Sequence, residues 1–394
     1  MARLTRRLAF ADVPMNKPLE FAIYDQAGNL ILRKGFVISM PGFAEKLVSR
    51  GYYIGESNDG GIATGRTETS AAPLSVQHAT SPARKISEPI FVLASDFIHA
   101  VARIHKIILG PPSNLANIEE LIKARATQLI ELLKKDSDAV IAALYLSQLG
   151  QETRACKHVL GAAIAYLIAE KIGTDDVLLH SLVCACLTRD VSLYYFDSAI
   201  PARPGISQLD EKGLREHTLT AAKLLEKHGV KNREWLRFVV EHHERPDGNG
   251  YPLGKKSGNI HELSLLIALA DSYAAMVVSN KWRAGIFPAN SLKDVYMQKE
   301  DRYLEKHIAI LIKTLTRFPA GTIVALNNGE VAVVKATMHN RASPLVYVIY
   351  DEKGFPKSES IMRDTMQPQY GIKGCISPER CKTAMLAIKR IWIE

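Results

Sequence analysis

Apolar residues recur three and four apart through "FVLASDFIHAVARIHKII", "IEELIKARATQLIELLKK", "HVLGAAIAYLIAEKIG", "VLLHSLVCACL" and "LTAAKLLEKHG", the spacing that turns one face of a helix toward a core. The pattern predicts helices almost throughout from Pro89 to about Arg317, and therefore one all-α domain at residues 89–320. It changes at both ends. In "PLEFAIYDQAGNLILRKGFVI", residues 18 to 38, apolar positions fall near period two around Asp25, Gln26, Ala27 and Gly28, which predicts two short strands and a small β-containing module at residues 1–56. After "FPAGTIVAL", Asn328 and Gly329 stand between the β-rich runs of "NNGEVAVVKATM", a hairpin signal. Residues 321–394 are thus expected to form a small β-rich C-terminal appendage, and the fold class is mainly α.

Between the first module and the helical part, residues 57–88 ("SNDGGIATGRTETSAAPLSVQHATSPARKISE") are rich in Gly, Ser, Thr, Ala and Pro and poor in apolar anchors. Such a stretch cannot bury enough surface to offset its ordering entropy, and it is expected to be a flexible linker. Limited proteolysis should cut there first; protection equal to that of the helical part would reject the boundary.

The composition, 47% hydrophobic and 23% charged over 394 residues, is that of an ordinary soluble protein with room for a sizeable core. The apolar runs are too short to suggest a membrane span, and "MARLTRRLAFADVPM" lacks the apolar centre of a secretory signal. Five cysteines, with Cys184 and Cys186 inside an apolar helical run, suit reduced buried thiols, so a cytoplasmic location is expected. The net charge of +9 suits an anionic ligand but is too diffuse to indicate a nucleic acid polymer.

The candidate chemistry sits in "EHHERPDGNGYPLG", residues 241 to 254. Adjacent histidines are about 100° apart around a helix axis, so His242 and His243 can lean toward one edge and reach a metal from one side. The backbone breakers that follow exceed what a helix stop needs, and they suggest a rigid loop beside the site. Gly248 and Gly250 permit positive φ there and Pro252 fixes its own φ, so the loop can hold one shape. An isolated histidine pair is as often a satisfied half-buried pair as a ligand set.

The surrounding residues move that balance. "HHERPDGNGYP", residues 242 to 252, resembles the signature of the HD-GYP family: His-His-Glu, two variable residues, Asp-Gly, one variable residue, Gly-Tyr-Pro. The resemblance extends over about residues 140 to 320. It implies a helical bundle of the HD superfamily, holding two or three metals, usually iron or manganese, and hydrolysing cyclic di-GMP. Residue by residue, it implies His158 as the early histidine ligand, although the spacing fits Lys157 nearly as well. Asp190 falls on the aspartate of the His-Asp pair, with Arg189 where the histidine belongs, and Leu193 stands in place of a phosphate-supporting lysine. His217 corresponds to the middle histidine, and His242 and His243 to the histidine pair. Asp271 is the later aspartate, with Ala274 where a further one often follows. Arg283 is the retained phosphate contact, Asn280 and Trp282 being departures, and Asp247, Gly250, Tyr251 and Pro252 form the substrate-side loop. Asp190 and His243 carry the implied catalytic roles.

The departures are lopsided. One metal keeps at best His158, Asp190 and Asp271, and meets the permanent cation of Arg189, which cannot become a ligand. The other keeps Asp190, His217, His242 and His243. One divalent metal rather than two is therefore expected, with Arg189 pairing to both Asp190 and Asp271. Three functions stay open: a weakened cyclic di-GMP phosphodiesterase, an inactive module that binds cyclic di-GMP or docks on a partner such as a diguanylate cyclase or other signalling domain, and another metal-dependent nucleotide phosphohydrolase. A homodimer is also left open.

Overall fold

The computed structural model describes residues 3–13, 17, 19–24, 30–32, 34, 48 and 53–56, and then 89–393 apart from 113–116, 148–152, 196–207, 280–282, 299–301, 337–342 and 358–360. The expected linker at 57–88 and the turn at Asp25 to Gly28 lie outside the described residues. The chain divides into two units, Met1–Ala83 and Arg84–Glu394. In the first, β1 (Arg3–Arg7), β2 (Ala22–Tyr24), β3 (Leu30–Leu32) and β4 (Tyr53–Glu56) make a sheet in the order β1-β4-β2-β3. Strands β2 and β3 pair antiparallel, and Leu8, Val13, Leu19, Ile23 and Ile54 form a small core of their own.

The second unit is helical from Ile90 to Leu315: α1 (Ile90–Leu109), α2 (Ile118–Ser147), α3 (Thr153–Lys171), α4 (Asp176–Thr188), α5 (Gln208–Lys227), α6 (Arg233–Glu241), α7 (Glu262–Val277), α8 (Pro288–Met297) and α9 (Glu305–Leu315). Helix α4 begins where the Asp175 carboxylate accepts from the amides of Val177 and Leu178, at 3.0 and 3.1 Å. It is apolar on nearly every side and packs against α2, α3, α6 and α7, as a helix without a polar face must. Its continuation carries Thr188, Arg189 and Asp190 into the core, buried to within 1% exposure, so these polar groups need partners inside the protein. Thr188 accepts from the Trp235 indole at 2.8 Å. Among the described residues, Asp176–Tyr194 is the one segment long and apolar enough by composition to cross a membrane, which the expectation of runs too short to span had not foreseen, but it is largely buried as this central helix.

Strands β5 (Ile323–Leu326), β6 (Val331–Ala336), β7 (Leu345–Tyr350), β8 (Met362–Asp364) and β9 (Ile372–Cys375) form an antiparallel sheet in the order β8-β7-β6-β5-β9. The β5–β6 hairpin turns at Asn328 and Gly329, the latter at φ 92°. One face of the sheet is continuous with the helical core: Ile323, Val333 and Ile349 belong to the same buried cluster as the helices. A terminal helix, α10 (Met385–Ile393), was not legible as such, and its Trp392 stacks on Phe91 of α1 with ring centroids 5.2 Å apart. All five cysteines are free, four of them buried.

Candidate metal centre

The histidine pair lies where α6 ends. Asn232 opens that helix by accepting from the Trp235 amide at 2.9 Å, Glu241 is its last residue and His242 its C-cap. The loop that follows is held by two carboxylates. Glu244 accepts from the amides of Leu253 and Lys255, at 2.7 and 2.8 Å. Glu241, 1% exposed, accepts from Arg237, Lys255, the Ser264 hydroxyl and the His261 amide, all at 2.8 to 3.0 Å. Burial alone would raise the Glu241 carboxyl, but these donors, Lys255 first, hold it below its usual range. The Tyr251 amide donates to the His243 carbonyl at 3.1 Å, and its ring lies against the His243 imidazole with centroids 4.7 Å apart. Gly248 does take positive φ, 84°, whereas Gly250 does not. What requires glycine at 250 is contact: an added Cβ would stand 2.4 Å from the Arg245 amide nitrogen and 2.5 Å from Glu244 Cα.

Asp190, His217, His242 and His243 each present a ligand atom within 4.8 Å of the others. Two of the imidazoles are fixed by their far nitrogens. His217 Nδ1 donates to the Leu214 carbonyl at 2.5 Å and His242 Nδ1 to that of Val239 at 2.8 Å. A carbonyl can only accept, so each Nε2 carries a lone pair, the arrangement that prepares histidine as a ligand. Those lone pairs face Asp190 Oδ1 at 3.1 and 3.3 Å, and the buried His242 Nε2 has no hydrogen-bond partner. Three acceptor atoms converging in a buried place need a cation between them. Burial, then the neighbouring His242, pushes the His243 imidazole well below its usual pKa, which keeps it neutral and ligand-competent. The residues present therefore fit one divalent metal.

The other oxygen of Asp190 faces a different group. Lys157 Nζ lies 2.5 Å from Asp190 Oδ2 and 3.3 Å from Asp271 Oδ1. The fully buried Arg189 donates to Asp271 Oδ1 through Nε at 3.1 Å and Nη2 at 2.5 Å, and through Nη1 to the Cys186 carbonyl. Its distance to Asp190 Oδ2 is 3.9 Å. Burial alone would raise both carboxyls, but Lys157 in each case, joined by Arg189 at Asp271, holds them far below the usual range. Two carboxylates and two cations balance here. His158 Nε2 is 3.5 Å from Asp190 Oδ2 without a hydrogen bond, and burial keeps this imidazole neutral.

Residues 119–308 match the family model described as HD domain. This part of the chain is thus similar to HD domains. A cyclic di-GMP phosphodiesterase of Pseudomonas aeruginosa is 26% identical over 199 residues, 48% of this chain and 46% of that protein. One of Thermotoga maritima is 33% identical over 115 residues, 28% of this chain and 30% of that protein. A third, of Borreliella burgdorferi, is 21% identical over 216 residues, 54% and 57% of the two chains. The match thus spans between about a third and somewhat over half of these relatives' lengths.

Against the HD-GYP expectations, the structure gathers Asp190, His217, His242 and His243 into one ligand set and places His158 and Asp271 on the far side of Asp190. Arg189 pairs with both aspartates, closely with Asp271 at 2.5 Å and more distantly with Asp190 at 3.9 Å, and Lys157, which was not expected as a cation of the site, is the nearer partner of Asp190. Gly161, one turn beyond Lys157 on α3, makes this arrangement fit, since a Cβ there would lie 2.9 Å from Arg189 Nη2. Gly161→Ala is expected to cost about 1–3 kcal/mol by overpacking. The same substitution in an Arg189→Ala background should cost much less, and equal costs in the two backgrounds, measured by denaturant unfolding, would disconnect the pair.

Arg283 donates to the carbonyls of Ala275, Met276 and Ala284 around the end of α7. Asn280 and Trp282 lie outside the described residues. Asp247 accepts from the Asn249 amide at 2.8 Å and so shapes the loop. His105 was not anticipated. It donates to the Leu187 carbonyl at 2.7 Å and lies edge-on to His158, with burial lowering its pKa to about 4. Its signal was only a histidine on the apolar face of α1.

Proposed function

We propose that this chain is a cytoplasmic cyclic di-GMP phosphodiesterase working with a single divalent metal, iron or manganese, held by Asp190, His217, His242 and His243. The observation that carries this reading is the convergence of those four ligand atoms within 4.8 Å, with His217 and His242 locked through Nδ1. When bound, the metal would supply a water of lowered pKa and polarise a phosphate oxygen. The protein's own part is to orient the histidines and keep Asp190 ionised. The substrate class rests on the relatives, which are named as cyclic di-GMP phosphodiesterases. It is supported by a cavity of about 570 Å³ lined by Lys212, Arg215, Glu216, Gly250, Tyr251 and Pro252. Two basic side chains and a tyrosine ring in one lining suit a ligand with phosphates and bases. We place the catalytic unit at residues 89–320, with residues 1–56 joined to it through 57–88.

A second reading, a module that binds cyclic di-GMP without hydrolysing it, is favoured by the balance of Lys157 and Arg189 against Asp190 and Asp271, which displaces one metal of the family's usual set. Incubation of the manganese- or iron-loaded protein with cyclic di-GMP, following the linear dinucleotide and GMP over time, tests both. Metal-dependent product formation is expected; binding without product would select the second reading, and neither would reject the two together.

A further inference from the structure

Asp190 divides the site. Its Oδ1 faces the Nε2 atoms of His217 and His242, and its Oδ2 faces Lys157 Nζ at 2.5 Å. An ammonium has three N–H donors and no acceptor. Two can be directed at Asp190 and at Asp271, 3.3 Å away, and these are the carboxylates that Lys157 contacts among the described residues. Arg189 differs from it in access. Its guanidinium is fully buried, whereas the Lys157 side chain is 20% exposed, so of the two cations only the lysine has an open side.

We propose that Lys157 contacts the phosphate of the ligand with its remaining N–H, standing beside the single metal where a second ion would otherwise bind a phosphate oxygen. This deepens the phosphodiesterase reading and rests on it for the identity of the ligand, though not for its charge. The placement follows from the local sequence. Lys157 and Gly161 are four apart and lie on one face of α3; the glycine admits the Arg189 guanidinium and the lysine reaches past it to both aspartates. A charge-assisted hydrogen bond from an ammonium to a phosphate oxygen is among the stronger single contacts this side chain can add.

The test is titration calorimetry of inorganic phosphate into the full chain carrying one equivalent of manganese(II). Lys157→Met, carrying the same one equivalent of manganese, should weaken phosphate binding about tenfold or more, the scale of one lost charge-assisted hydrogen bond. Lys157→Arg, which keeps the charge, should retain most of the affinity. If Lys157→Met folds poorly, Lys157→Gln is measured in the same way. Equal phosphate affinity in wild type and the neutral variant, or no phosphate binding by the metal-loaded wild type, would overturn the proposal. Failure of the phosphodiesterase reading would register separately, as phosphate binding that depends on Lys157 in a protein that neither binds nor cleaves cyclic di-GMP.

Discussion

Arg189→Ala is expected to destabilise the helical unit by about 3–5 kcal/mol, because removing one partner leaves Asp271 in the core without its principal hydrogen-bonded cation. The guanidinium is fully buried and donates twice to Asp271 Oδ1 and once to the Cys186 carbonyl. Both acceptors lose that donor at once, three hydrogen bonds in all, and the vacated volume adds a cavity cost. Lys157, 3.3 Å from Asp271, offsets part of the loss but is already committed to Asp190 at 2.5 Å. Arg189→Lys should be intermediate, since a point charge cannot reproduce the fork. The shift in denaturation midpoint at neutral pH measures this, and a loss under about 1 kcal/mol would mean that Arg189 is a passive replacement rather than a structural member of the site.

Gly250→Val should have an effect of similar size by a different route. The built Cβ falls 2.4 Å from the Arg245 nitrogen and 2.5 and 2.6 Å from Glu244 Cα and C, all backbone atoms that no rotamer change can move. The loop has to open, at the expense of the Tyr251 amide bond to His243 and the two amide bonds to Glu244. A cost of about 3–5 kcal/mol is expected, near the top of the range for single substitutions. Tyr251 would leave the His243 ring and one wall of the cavity would be lost, so cyclic di-GMP binding should fall with stability. Gly258→Ala, where nothing lies within 4 Å of the added Cβ, is the control and should change stability by less than about 0.5 kcal/mol. Similar behaviour of the two variants would show that the loop tolerates a side chain at 250.

The helical part of the fold was legible because amphipathic spacing at three and four records which face meets the core. So were the β2–β3 and β5–β6 hairpins, where period-two runs flank turn residues. Helix α10 was not, since "AMLAIKRIWI" is short and its apolar face has meaning only against Phe91 and the sheet. In the site, a contiguous motif exposed His242 and His243, and resemblance in spacing supplied Asp190 and His217. Lys157 and Gly161 escaped for a physical reason. Lysine and glycine on a helix ordinarily mean a solvated position and a packing gap, and their roles appear only when Arg189 from α4 is laid across α3. Gly250 was singled out correctly but for the wrong cause, close backbone approach instead of positive φ.

We propose that cations of the protein replace one metal and leave a ligand set for the other. This is tested most directly by the metal content of the wild-type chain after incubation with excess iron(II) or manganese(II) and removal of loosely held ions. Asp190, His217, His242 and His243 form one ligand set, and Lys157 and Arg189 occupy the remaining carboxylate surface. One tightly held ion per chain is the expected result, and two per chain would contradict the account.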